Sequence, residues 1–280
     1  MTERYRYRKL VDLLVRGACA FATVLSLVPL GGVLYYVFVR GIGGIDLAFF
    51  RELPKPVGEA GGGMANAVIG TLQLVGLACL MGIPPGVLAG MYLAEFGRTK
   101  SGQIVRFAAD VLSGIPSITV GLFVYGLVVA RTKQFSAFAG GFALALLMLP
   151  TITRTTEELL RLLPESLREA ALGLGVPKWR ATLLVLLRTA APGIAVGVML
   201  SVARVAGETA PLLFTAFNNR FWAQSLNEPT ASLPVNIFTY AVSPYEEWHR
   251  QAWAAALVLL LIVLALNISA RLLVRTRVRL

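Results

Sequence analysis

The chain has 280 residues, of which 56% are hydrophobic and only 15% charged, with a mean hydropathy of +0.71 and a formal net charge of +11. A soluble domain carries about 25% charged residues, so the composition excludes that class and points to an all-α polytopic membrane protein embedded in a lipid bilayer. Net positive charge raises nucleic acid as a partner, but basic residues flanking membrane helices explain it through topology, so no nucleic acid is expected.

Six apolar segments reach the length of about 20 residues that a hydrocarbon core demands. They are 17–39, 64–94, 111–130, 134–153, 189–219 and 251–270. The first is longer than a signal-peptide core and lacks a cleavage pattern, so it reads as a retained helix. Pro84-Pro85 in the second cannot donate ladder hydrogen bonds and predicts a bend. A very short turn at Arg131-Thr132-Lys133 joins the third and fourth. Cys19 and Cys79 lie in apolar stretches without metal-ligand spacing and read as packing residues; no metal site is expected. Gly82, Gly86 and Gly90, and then Gly193 and Gly197, recur at four-residue spacing. Such spacing lets helix backbones approach closely and supports a compact bundle and a subunit interface.

The flanking charges orient the segments. Residues 1–16, 95–106, 154–188 and 271–280 hold 18 Lys and Arg; residues 40–63, 131–133 and 220–250 hold 7. The richer set faces the cytoplasm, and both termini lie there. One membrane domain, 17–273, is thus expected between a cytoplasmic N-terminal segment, 1–16, and a cytoplasmic tail, 274–280. Trp222 and Trp248 in the last outer loop mark a membrane interface.

The loop 154–188 is too long for a mere connector, since bundle connections need about 2–8 residues. Pro164 suits a helix start and Glu165 its first turn. Gly173 and Gly175 are natural stops, and Pro177 opens a second short helix anchored by Trp179. A helix-turn-helix outside the membrane that shows Arg168 and Glu169 to solvent calls for a protein partner.

The fifth segment places two charges near mid-bilayer. An arginine there costs about 2.5–3.5 kcal/mol on insertion scales, so Arg204 calls for a role. Glu208 follows four residues later, on the same face. Pro211 cannot bond to the carbonyl of Gly207 and frees it beside the charges. Broken helices at membrane depth are tolerated where they line a cavity. Arg204, Gly207 and Glu208, with Thr209 as a weaker candidate, therefore suggest a solute pathway. A guanidinium matches an oxyanion with two parallel hydrogen bonds. A salt bridge that only fixes helix packing is the competing reading. Pro116 with Ser117 offers a second broken helix, and Asp110 reads as an interfacial charge. No nucleophile–base pair or metal cluster suggests an enzyme. No Gly-x4-Gly-Lys-Ser/Thr run is present to cradle ATP phosphates, so energy must come from another subunit.

Glu169-Ala170-Ala171 and Gly175 match, in type and spacing, the EAA loop of binding-protein-dependent ABC importer permeases. Val185 and Leu187 stand at the Ile and Leu positions of that pattern, and Arg188 replaces its usual Pro. Further runs resemble the PstA-type phosphate permease family: Tyr92 to Phe96, Gly114-Ile115-Pro116-Ser117, Leu149-Pro150 with Arg154 to Glu158, Ala203 to Leu213, and Ser232 to Val235. The resemblance implies a six-helix permease of a bacterial inner membrane that imports inorganic phosphate. It implies coupling to an ATPase subunit through Arg168, Glu169, Ala170, Ala171 and Gly175, and places Ser117 near the pathway. The implied partners are a second, PstC-type permease, a pair of ATP-binding subunits and an extracytoplasmic phosphate-binding protein. ATP and Mg would bind in the ATPase; no cofactor is expected on this chain. A permease for another oxyanion, such as molybdate or sulfate, and a self-sufficient ion-coupled carrier are the alternatives.

Overall fold

The computed structural model describes residues 3–56, 59 and 61–278, and those residues form helices and connections without a strand. The helices are α1 (Glu3–Ile42), α2 (Leu47–Arg51), α3 (Ala65–Phe96), α4 (Lys100–Gly114), α5 (Ser117–Thr132), α6 (Ala137–Arg161), α7 (Glu165–Gly173), α8 (Lys178–Ala206), α9 (Ala210–Thr215), α10 (Leu233–Ala241) and α11 (Glu246–Val278). A π turn interrupts α5 at Tyr125–Val129 and α8 at Ala181–Leu186.

Five helices, α1, α3, α6, α8 and α11, are long and apolar enough to cross a membrane. α4 and α5 qualify only as a pair, and they meet at 106°. The predicted third span, 111–130, is therefore not one straight helix. Pro116 explains the break: a residue before proline is pushed out of the α region, and Ile115 sits at φ −75°, ψ 129°. Of the predicted N-terminal segment, residues 3–16 continue α1 and residues 1–2 lie outside the described residues. The predicted tail likewise continues α11 as far as Val278, with 279–280 outside the described residues.

α6 is the axis of the bundle, with α3 on one side and α8 on the other. Its own start is fixed by Ser136, whose hydroxyl accepts the Ala139 N–H at 3.1 Å. Lipid tails are as apolar as leucine, so burial does not drive these helices together; close packing does. The glycines provide it. A Cβ on Gly90 would stand 2.5 Å from Cβ of Thr156, and one on Gly86 would stand 2.8 Å from Cγ2 of Ile152. Gly193 and Gly197 of α8 press on Leu159 and Thr155 of α6 in the same way. These seams lie inside the chain, which corrects the expectation of a subunit interface there. α3 stays helical through Pro84 and Pro85. Leu74, Ala78, Leu144, Met148, Ile152, Val205 and Leu212 fill the centre.

α10 and α11 close the opposite end around Phe49, Met64, Leu233 and Tyr240. α1 rests mainly on α11, with Tyr36 edge-on to Trp253 at 5.1 Å, and almost all of its described side chains are exposed.

Candidate functional site

Two broken spans meet at one place. The fifth predicted segment, 189–219, divides into the end of α8 at Ala206, a break at 207–209, and α9. The break thus precedes Pro211, which opens α9 instead of interrupting a continuous helix. α9 packs on α5, and the contact is tight: a Cβ on Gly121 would lie 2.5 Å from Cα of Pro211. The bend at Gly114–Pro116 and the break at 207–209 are thereby joined through α5 and α9. Ser117 begins α5, one turn from Gly121. No hydrogen bond or ion pair links Ser117 to Arg204 or Glu208 among the described residues.

Arg204 lies in the last turn of α8 and Glu208 in the break. Their Nε and Oε1 atoms are 4.0 Å apart, too far for a hydrogen bond. The Arg204 side chain is 66% exposed, that of Glu208 20%. Gly207 is exposed and Thr209 half-buried. The guanidinium therefore keeps nearly all its donors open on the surface of the chain, in the last turn of a membrane-spanning helix.

At the other end, α7 packs against the base of α8 and the end of α3. Its N–H groups begin after Pro164, and Glu165 occupies the first turn. The chain leaves α7 through Gly175 at φ +79°, the left-handed conformation that glycine adopts without penalty. Its N–H bonds to the Leu172 carbonyl at 2.9 Å, a cap of the expected kind. Glu169 and Ala170 are exposed, and Ala171 is buried. Leu174 and Trp179 are 85% and 60% exposed. The predicted second short helix is the start of α8.

Between these two regions lies a dense charge cluster. Glu157 on α6, 2% exposed, contacts Arg106 of α4, Arg154 at 3.4 Å and Arg161 at 3.1 Å. Arg154 also contacts Asp110 of α4. Arg106 donates to the Gly97 carbonyl at 3.2 Å, and Arg161 to the Leu93 carbonyl at 3.1 Å. These carbonyls end α3, where the helix dipole is negative and a cation is favoured.

The sequence model of the family described as binding-protein-dependent transport system inner membrane component matches residues 86–279. The chain belongs to this family. It is thus a transport permease subunit, multi-pass in a bacterial inner membrane, in a family whose importers imply an ATPase and a second permease. A relative from Yersinia pestis, named as phosphate transport system permease protein PstA, is 50% identical over 85% of this chain and 81% of its own length. A protein of the same name from Haemophilus influenzae is 45% identical over 96% and 95%. A chain of the inward-facing MetNI methionine ABC transporter has TM-score 0.59 at 19% identity, covering 76% of this chain and 96% of that one. That last likeness shows the fold.

Of the residues that the sequence of this permease singles out, the structure puts Gly207, Glu208 and Thr209 in one break, Arg204 in the helical turn just before it, and Ser117 at the start of α5. Arg168, expected to face outward with Glu169, turns inward: its Nη1 donates to Glu95 at 2.6 Å. Asp110 is more than an interfacial charge, since it holds Arg154. Sequence reasoning passed over Glu95, Arg106 and Glu157 as partners. The spacing Arg154-x-x-Glu157-x-x-x-Arg161 was a signal, because i−3 and i+4 neighbours share a helix face.

Proposed function

We propose that this chain is the transmembrane subunit of an ATP-driven importer for inorganic phosphate and forms half of its translocation pathway. The observation that carries the reading is Arg204: a guanidinium in a broken span, open on the chain's surface, with one carboxylate 4.0 Å away. A closed salt bridge would use both groups up. Here the planar fork is free for two oxygens of a phosphate, in a setting where a low dielectric strengthens charge-assisted bonds. Glu208 holds the guanidinium or accepts a proton from monoprotonated phosphate. Gly207 keeps the surface open, and Thr209 and Ser117 add hydroxyls along the wall. The names of the relatives favour phosphate over other anions.

An exposed intramembrane arginine needs a cover. A second permease of PstC type supplies the other wall, and a phosphate-binding protein delivers solute from outside. ATP and Mg bind in a separate pair of ATPase subunits. That pair grips α7 through Glu169, Ala170 and the apolar Leu174 and Trp179, which have no lipid to pack against. Gly175 shapes the loop, and Arg168 holds it to the membrane domain. ATP binding closes the ATPase pair, pulls α7 and turns the cavity from outward- to inward-facing. Both termini and residues 154–188 are cytoplasmic on this reading.

The test is uptake of labelled phosphate by the complete transporter, purified through a tag on this chain and set in proteoliposomes. Co-purification of an ATPase, ATP-dependent uptake, and competition by phosphate but not by molybdate or sulfate are expected. Competition by molybdate or sulfate at equal concentration would reassign the substrate. Uptake by this chain alone, without ATP, would replace the importer by an ion-coupled carrier.

A further inference from the structure

We infer that Glu95 is the joint through which movement of α7 reaches the membrane helices; this rests on the reading of α7 as the element an ATPase grips. Glu95 ends α3, with its side chain 18% exposed. One oxygen, Oε2, accepts from Arg168 of α7 at 2.6 Å. The other, Oε1, lies 2.9 Å from the buried Thr182 hydroxyl, which shares its one proton between Glu95 and the Lys178 carbonyl at 3.0 Å. Thr182 lies in the π turn at the base of α8. A single carboxylate thus fastens three elements, and each oxygen serves a different one.

The Arg168–Glu95 bond is the only side-chain hydrogen bond that joins α7 to the rest of the chain among the described residues. Everything else that holds α7 is apolar, with Leu163 and Leu167 against Leu160 and Leu186. Apolar contacts are non-directional and let a helix slide or rock. A charge-assisted bond is directional and transmits a pull. There is room for the pull: a cleft of about 500 Å³, lined by Glu95, Arg161, Glu165 and Arg168, opens beside α7. α7 therefore borders an open cleft on one side, packs on an apolar cluster on another, and has one polar tether.

What the tether moves follows from the other bonds at the same end of α3. The Leu93 carbonyl is held by Arg161 of α6, and the Gly97 carbonyl by Arg106 of α4. α4 leads into the 106° bend, and α8 carries Arg204 some 22 residues, or about 33 Å, above Thr182. A displacement of Glu95 acts on both arms that end at the pathway. Glu95 is accordingly a positioning residue: it touches no solute.

The experiment compares phosphate moved per ATP hydrolysed by the complete transporter in proteoliposomes. Glu95→Gln keeps shape but loses the charge that holds Arg168. Glu95→Asp keeps the charge on a shorter arm, and Thr182→Val removes only the second tie. Coupling free energies between sites commonly correspond to about 5–150-fold, and a fall of about tenfold in phosphate per ATP is expected for Glu95→Gln. Hydrolysis should continue, with intermediate losses in the other two variants. Unchanged phosphate per ATP in Glu95→Gln, with wild-type transport intact, overturns the joint and leaves the proposed function standing. If Glu95→Gln fails to assemble, Thr182→Val decides: a loss at normal abundance supports the joint, and wild-type coupling overturns it. Failure of the wild-type transporter to move phosphate would instead sink the functional reading itself.

Discussion

Two Arg–Glu groupings on neighbouring helices behave in opposite ways. Glu157 of α6 is sealed, with its side chain 3% exposed and three arginines upon it. Arg204 of α8 is two-thirds exposed with one loose partner. Both are costly placements for charge in a membrane domain. The first is offset inside the chain by near-complete pairing, and it ties α4, α6 and the end of α3 together. The second is left incomplete, which is the feature that the proposed solute site rests on. Residue type alone does not separate a structural clasp from a solute site; the degree of closure does.

The contrast can be broken most sharply at Arg204. Arg204→Ala is expected to reduce phosphate uptake to background while membrane abundance stays normal. Arg204→Lys should also be severely impaired, because an ammonium keeps the charge but loses the two-pronged geometry. The double variant Arg204→Ala with Glu208→Gln removes both charges. A stable, transport-dead protein is expected, read by immunoblot and uptake together. Recovered uptake in that variant would make this pair a clasp as well and erase the distinction.

Glu157→Gln probes the sealed side. Removing one partner from a buried ionic group leaves the others uncompensated and costs about 3 kcal/mol, at the low end because the arginines keep some solvent. Reduced abundance and a lower thermal midpoint in detergent are expected. Wild-type stability with lost transport would put Glu157 on the pathway side of the comparison.

The smallest effect is expected at the loop. A side chain at Gly175 meets φ +79° and costs about 1 kcal/mol in local strain. Gly175→Asp should therefore leave insertion intact and weaken capture of the ATPase subunit in pull-down. Glu169→Lys should do the same through charge reversal at an exposed contact. Full capture and full uptake in both would remove α7 from the coupling path.

Much of the architecture was legible because membrane helices write themselves as long apolar runs. Five of the six predicted segments coincide with a long apolar helix, whereas the predicted turn at Arg131-Thr132-Lys133 falls later: Arg131 and Thr132 still belong to α5, and the chain turns from Lys133, at φ 56°, to Ser136. The third, 111–130, failed as a straight span for a local reason: an apolar run says nothing about direction, and at Pro116 the chain bends through 106°. Glu208 sits beside Arg204 although the helix has already ended, so the four-residue spacing gave the right neighbour by way of a wrong geometry. The glycine spacing located close seams but not their owners, because the same pattern serves helices of one chain or of two. Glu95 stayed hidden because Arg168 lies 73 residues away in the chain, beyond any local pattern; of the partners of Glu157 only Arg106, 51 residues away, was out of reach in that way.

The π turn at Ala181–Leu186 has a mechanical consequence. Such a turn winds one residue more into a helix than an α-helical turn would hold. Undoing it would advance the register of everything above by one residue, a rotation of about 100° and a rise of about 1.5 Å. The segment from Leu187 to Ala206 would turn as a screw does in its thread, with its internal hydrogen bonds kept. Arg204 would then be carried about a quarter of a turn around the α8 axis, but only if the close seam of Gly193 and Gly197 against Leu159 and Thr155 first parts.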